Sequence, residues 1–165
     1  MTLRRSRALQ SLMSLYFHLR AVPPSALRNS ATWFQRLFED DWDTVRRRLD
    51  RHLDEMLDQR YADQHALYAG HAQDGPQADV VLGGRPVTHP VPEHPPFLIL
   101  TAAQVTRVAD YLGSTGFETL WRALRPTAPP EPEVHTILAA AHRDLTAFYT
   151  RTAKYGDAVV KCLLR

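Results

Sequence analysis

Four apolar residues, Phe97-Leu98-Ile99-Leu100, run without a break into Thr101-Ala-Ala-Gln104. The run is too short for a buried helix and lacks the alternation of a strand with one wet face, so it reads as an internal strand. Thr101 and Gln104 have the spacing of a capping box, and Val105, Val108, Ala109 and Leu112 give the helix that follows a buried face. A strand passing directly into a helix needs a sheet with helices stacked on it, which argues against a helical bundle and against an all-β sandwich.

The rest of the chain fits that frame. Residues 15–22 alternate and stop at Pro23-Pro24, a strand with Leu15, Phe17 and Leu19 on one face and Tyr16, His18 and Arg20 on the other. Ser30 is placed to cap a short helix through Trp33, Phe34, Leu37 and Phe38. Val45, Leu49, Leu53, Met56 and Leu57 predict a second helix from about Trp42 to Leu57, with Asp43/Arg47, Arg46/Asp50 and Arg51/Glu55 pairing along its solvated side. A short helix is expected over Asp63 to Ala69, a loop over 71–79, and a tight turn at Gly83-Gly84. Residues 86–96, rich in proline, read as an irregular excursion. Gly113 reads as the end of the helix begun at Thr101, and Thr115 with Glu118 as a second capping box. The longest helix runs from about Glu133 to Tyr155, Gly156 closes it, and Ala158 to Leu164 is a closing strand. The expectation is one α/β layered domain with a small mixed sheet and several amphipathic helices.

At 165 residues the chain is long enough for one domain with a real core. Arg4, Arg5 and Arg7 account for the net positive charge of the chain, which is +2. Removing those three from the 20 basic residues leaves 17 against 18 acidic ones. The remainder thus lacks the basic excess expected of a nucleic-acid-binding domain. Cys162, the only cysteine, permits neither an intrachain disulfide nor a cysteine-built zinc site, and its apolar setting reads as a buried thiol. Polar residues interrupt the apolar stretch after Arg4-Arg5, so no export signal is read there, and no stretch reaches membrane-span length. A cytoplasmic location is expected.

Several residues invite chemistry. Tyr61 and His65 stand four apart, and His65 is a candidate donor or general base. Asp157, between Gly156 and the last strand, is a candidate carboxylate, although such an Asp commonly fixes a turn. His71, His89, His94 and Glu93 are spaced too irregularly to read as a metal site. His135 and His142 lie seven apart on the long helix. Gly83-Gly84-Arg85 can cradle an anion but matches no nucleotide-binding pattern. Trp33, Phe34, Phe38 and Trp42 form an aromatic cluster that reads as core or, if exposed, as a partner-binding patch.

The stretch from Leu57 to Gly70, with Leu57-Asp58, Tyr61, His65 and a closing Leu67-Tyr68-Ala69-Gly70, is similar to the central segment of the YfbM-like family. Val80-Val81-Leu82-Gly83-Gly84-Arg85-Pro86-Val87 resembles that family's Leu-Gly-Gly-x-Pro-Ile element. Phe97 to Leu124 resembles its strand and the helices after it. Leu145-Thr146-Ala147-Phe148-Tyr149, followed by Ala153 and Tyr155-Gly156-Asp157-Ala158-Val159-Val160, looks like its ending. The chain departs where Tyr61 stands in place of the usual Trp and where 71–96 is polar and proline-rich.

The resemblance implies a three-layer αβα domain over 13–165, with residues 1–12 a disordered N-terminal extension or the result of an upstream start. It supplies no activity, so no catalytic residue carries over. The functional expectation is a non-catalytic binding or protein-interaction module without metal or cofactor. Its partner would be a protein or a small molecule, not nucleic acid or membrane, and it would act as a monomer or weak homodimer. Its candidate pocket is built from Tyr61, His65, Gly83, Gly84, Arg85 and Asp157. The alternative is a small-molecule enzyme with His65 as acid/base.

Overall fold

The computed structural model describes residues 16–39, 54–57, 60–124 and 132–164. In chain order the elements are β1 (Tyr16–Val22), α1 (Ala31–Glu39), β2 (Asp54–Leu57), α2 (Tyr61–Ala69), α3 (Gly75–Asp79) and β3 (Arg85–Val87). They continue as β4 (Phe97–Leu100), α4 (Ala102–Ser114), α5 (Phe117–Leu124), α6 (Pro132–Tyr155) and β5 (Ala158–Leu164). The strands form one five-stranded sheet in the order β2-β1-β5-β4-β3.

The pleat of the two central strands divides the core. Phe17, Leu19 and Ala21 of β1 and Val159 of β5 point to one side, where they meet Leu67, Val105, Val108, Leu138, Leu145 and Tyr149 from the helices α2, α4 and α6. Val22, Val160 and Cys162 point to the other, against Phe34, Leu37 and Phe38 of α1. Period-2 strands with both faces apolar need helices above and below, and the chain supplies them. The α/β class and the layered architecture hold. Cys162 is buried, as its setting implies.

The expected mixed sheet is instead antiparallel at every described pairing. A single crossover helix returns the chain parallel. Here two long helices, α4 and α6, separate β4 from β5. With α5 between those two helices, the connection is longer than a single crossover, and β4 and β5 pair antiparallel.

The helix expected up to Leu57 does not reach it: Asp54–Leu57 is a strand paired with β1, Phe17 opposite Leu57 and Arg20 opposite Asp54. Leu57 is buried while Met56 is 47% exposed, which is pleated alternation. Pairing with the open edge of β1 overrides a helical spacing that four residues cannot distinguish from a strand. Trp42, Val45, Leu49, Leu53 and the three ion pairs placed on that helix lie outside the described residues, as do residues 1–12.

Smaller corrections follow from local hydrogen bonding. Pro76 at the start of α3 makes a short helix of a stretch read as loop. Pro86 and Val87, read as the start of an irregular excursion, form with Arg85 an outermost strand, where Pro86 removes no needed donor. α4 continues past Gly113 to Ser114, whose hydroxyl donates to the Tyr111 carbonyl at 3.0 Å. Thr115 then ends α4 and does not cap α5, since the first α5 carbonyl partner is Gly116, which accepts from Leu120 N–H. The Thr101–Gln104 capping box forms in both directions, at 2.9 and 3.2 Å. Ser30 accepts from Trp33 N–H at 3.3 Å. Among the described residues no helix is long and apolar enough to cross a membrane.

Candidate functional site

α2 places Tyr61 and His65 one turn apart, but their side chains take different work. The Tyr61 ring stacks on Phe17, 5.6 Å between centroids, as part of the core edge. His65 Nδ1 accepts the Leu82 backbone N–H at 3.3 Å. Accepting there requires an unprotonated nitrogen. Burial, and then the nearby Lys161 ammonium, both lower the His65 pKa and favour that form.

His65 therefore sits at the turn that holds Gly83 and Gly84. A Cβ on Gly83 would lie 2.6 Å from the Ala78 carbonyl oxygen and 2.7 Å from Asp79 Cα. Gly84 has φ +128° and would press a Cβ to 3.1 Å from the Ile99 backbone. The glycine pair lets the end of α3 fold back on itself while the chain closes on β4. Arg85 faces outward, its Nη2 donating to Asn29 Oδ1 at 3.4 Å. Asp157 is buried at the head of β5, and its N–H donates to the Thr152 carbonyl at 3.1 Å.

The centre of this region is a residue that sequence reasoning passed over. Lys161 of β5 points into the helical layer and is fully buried. Its ammonium donates to the Asp79 and Gly83 carbonyls, the latter at 2.8 Å. Beside it, Tyr149 of α6, also 0% exposed, donates its hydroxyl to the Val80 carbonyl at 2.6 Å. Two interior donors thus cap carbonyls that the end of α3 cannot satisfy itself. Burial depresses the Lys161 pKa to about 7, against the pull of the Asp79 carboxylate. Burial raises Asp79 in turn, with Lys161 opposing the shift. The available signal was a lysine inside Val159-Val160-Lys161-Cys162-Leu163, in a chain whose only other lysine is Lys154. A compact ammonium fits between two carbonyls where a planar guanidinium would not.

A second polar chain crosses the helical layer. Gln64 Nε2 donates to the Tyr68 hydroxyl at 3.0 Å and to the Leu138 carbonyl at 3.2 Å. The Tyr68 hydroxyl lies 2.9 Å from His142 Nδ1, and the His142 ring also bonds the Thr115 carbonyl. Burial lowers the His142 pKa and raises that of Tyr68. A neutral ring that gives its N–H to Thr115 leaves Nδ1 to accept the tyrosine proton. His135, seven residues earlier, pairs with Glu118 at 2.9 Å, and both histidine rings meet Phe117. They do share a side of α6.

On the opposite face of the sheet, His18 Nε2 lies 3.2 Å from Asp54 Oδ2 and 3.4 Å from Arg20 Nε, with Arg20 over the Phe38 ring. Burial and Arg20 lower the His18 pKa, and burial brings Arg20 to about 10. His89 stacks on Phe97, centroids 4.8 Å apart, and meets the His94 ring at a tilt, 4.5 Å away, in a cleft beside Cys162. Among the described residues no three His, Cys, Asp or Glu side chains group as metal ligands would. Phe34 and Phe38 are core, and Trp33 packs half-buried at its margin.

These histidines set the acid response. His18, His65 and His142 all have folded pKa values below 6.5, so below that pH the unfolded chain binds protons the folded chain does not. Their contribution is complete above 6.5 and is lost as pH falls toward the folded values. Thermal melts are expected to give a lower Tm at about pH 5.5 than at about pH 7.5. Equal or higher stability at the acid value would contradict this assignment.

The comparisons with known proteins agree with the architecture. A family model described as a domain of unknown function (DUF1877) matches residues 13–161. A solved structure titled as a protein of unknown function, YfbM from Escherichia coli, superposes with a TM-score of 0.56 at 15% sequence identity. The match covers 90% of this chain and 99% of that one. At that identity the likeness shows the fold alone. No curated protein matches by sequence.

Proposed function

The chain belongs to the DUF1877 family of domains of unknown function, and on the geometry of its polar groups we propose that it is a non-catalytic binding or protein-interaction module. In this reading it serves a small molecule or protein partner in the cytoplasm as a monomer or weak homodimer, with no role for nucleic acid, membrane or cofactor. One observation carries it: the groups best equipped for acid–base chemistry are spent on the backbone of residues 79–83. His65 holds Leu82, Lys161 holds Asp79 and Gly83, and Tyr149 holds Val80. A general base already accepting a structural N–H must break that bond to take a substrate proton.

The enzyme alternative draws on the lowered pKa of His65 beside a lysine brought near neutrality. His65→Ala separates the two. The binding reading expects a loss of about 1 kcal/mol, or about 2–4 °C in Tm. In a thermal-shift screen against metabolites, nucleotides and divalent metals, each stabilising compound should raise wild type and variant equally. A compound that stabilises only the wild type, or that is turned over only by it, would establish a site at His65 and overturn the binding reading.

A further inference from the structure

Between β2, α2 and α6 lies a cleft of about 160 Å³. Cavities of roughly this size take a molecule as large as benzene. Its wall is apolar along Leu57, Ile137 and Ala141, and Glu55 and Asp144 bring two carboxylates to it. Acidic residues at a cleft are by themselves an ordinary solvated surface. The decisive group is Gln64, which also lines the cleft and is 1% exposed. Its amide orientation is fixed, because the Leu138 carbonyl can only accept and must face the Nε2 donor. The oxygen is then the atom left over, and Oε1 has no hydrogen-bond partner. A buried acceptor without a donor is expensive unless something fills the place.

We propose that this cleft binds a primary ammonium or guanidinium group on a short alkyl stem. The stem packs on Leu57, Ile137 and Ala141. The cationic head donates to Gln64 Oε1 and neutralises Glu55 and Asp144. Arg60, also at the cleft, pairs with Asp63, its Nη1 lying 3.2 Å from Asp63 Oδ2. Burial, joined by the negative charge of Asp144 and Asp54, raises the Glu55 pKa, a repulsion that an arriving cation relieves. The inference rests on the binding reading and names its ligand class. The head group can come from a free amine or from a lysine or arginine side chain of a protein partner.

The test titrates the whole protein with n-butylammonium, with agmatine, and with a lysine capped at both ends, using n-butanol as the uncharged control. Ligands this small should bind with Kd on the order of 1–10 mM, and butanol should bind at least about tenfold more weakly. Asp144 is exposed and Glu55 half-buried, so Glu55→Gln/Asp144→Asn should fold normally and weaken the cations about tenfold. Binding of the free amines alone in that range supports a metabolite source. Equal or tighter binding of the capped lysine supports a partner side chain. No cation binding, equal binding of butanol, or an unaffected double variant overturns the inference. His65→Ala should leave cation affinity unchanged. If it abolishes binding, the broader non-catalytic reading fails too, whereas an uncharged ligand found in this cleft would sink only the cation assignment.

Discussion

Lys161→Met should lower stability by about 2–4 kcal/mol, or about 5–15 °C in Tm, because it leaves the Asp79 and Gly83 carbonyls without their donor. Methionine keeps the length and apolar stem of lysine, so packing changes little. One effect opposes the loss: a buried charge is costly, and an apolar substitute removes that cost. The orphaned carbonyls outweigh it because the amine is already brought to about 7 and carries its charge only partly near neutral pH. The pH dependence is the sharper signature. A lysine with a folded pKa of about 7 against an unfolded value of 10.5 contributes fully above 10.5, and its contribution falls as pH drops toward 7. Wild type should therefore gain stability between pH 7 and about pH 9 relative to the variant, widening the gap. Urea melts at the two pH values check this, and a constant gap would contradict it.

Gly83→Ala should be nearly as damaging, at about 1–3 kcal/mol, for a steric reason. The added carbon meets backbone at 2.6 and 2.7 Å, and backbone cannot rotate aside as a side chain can. Relief requires moving the end of α3, which carries the Gly83 N–H bond to Ala78 at 2.8 Å and the carbonyls that Lys161 holds. The same substitution at Gly113 meets nothing within 4 Å and should be neutral or slightly stabilising by helix propensity. The two variants, melted side by side, separate a steric requirement from a general dislike of alanine.

Most of the helical layer, α3 excepted, was legible in the sequence because its signals are local. The Thr101–Gln104 box, the apolar stripe of α6 and the closing run into β5 each contain their own evidence. What pairing decides was not legible. Leu53, Met56 and Leu57 fit a helical stripe, and only the open edge of β1 makes Asp54–Leu57 a strand. The sheet's polarity likewise depends on two helices being traversed, which strand patterns do not record. The site followed the same division. Gly83 and Gly84 were visible as backbone constraints, and His65 was visible as a residue type. Gln64 carried no signal at all, since an unsatisfied amide oxygen exists only once Tyr68 and Leu138 have taken the nitrogen.

Backbone amide NMR shifts followed during a titration with n-butylammonium give the most direct test of cation capture in the cleft. Movement is expected to centre on Glu55, Gln64 and Asp144, with the amides of 80–84 unmoved because that turn is structural. Shifts centred on His65, Leu82 and Gly83, with the cleft silent, would contradict it and place the working surface at the turn.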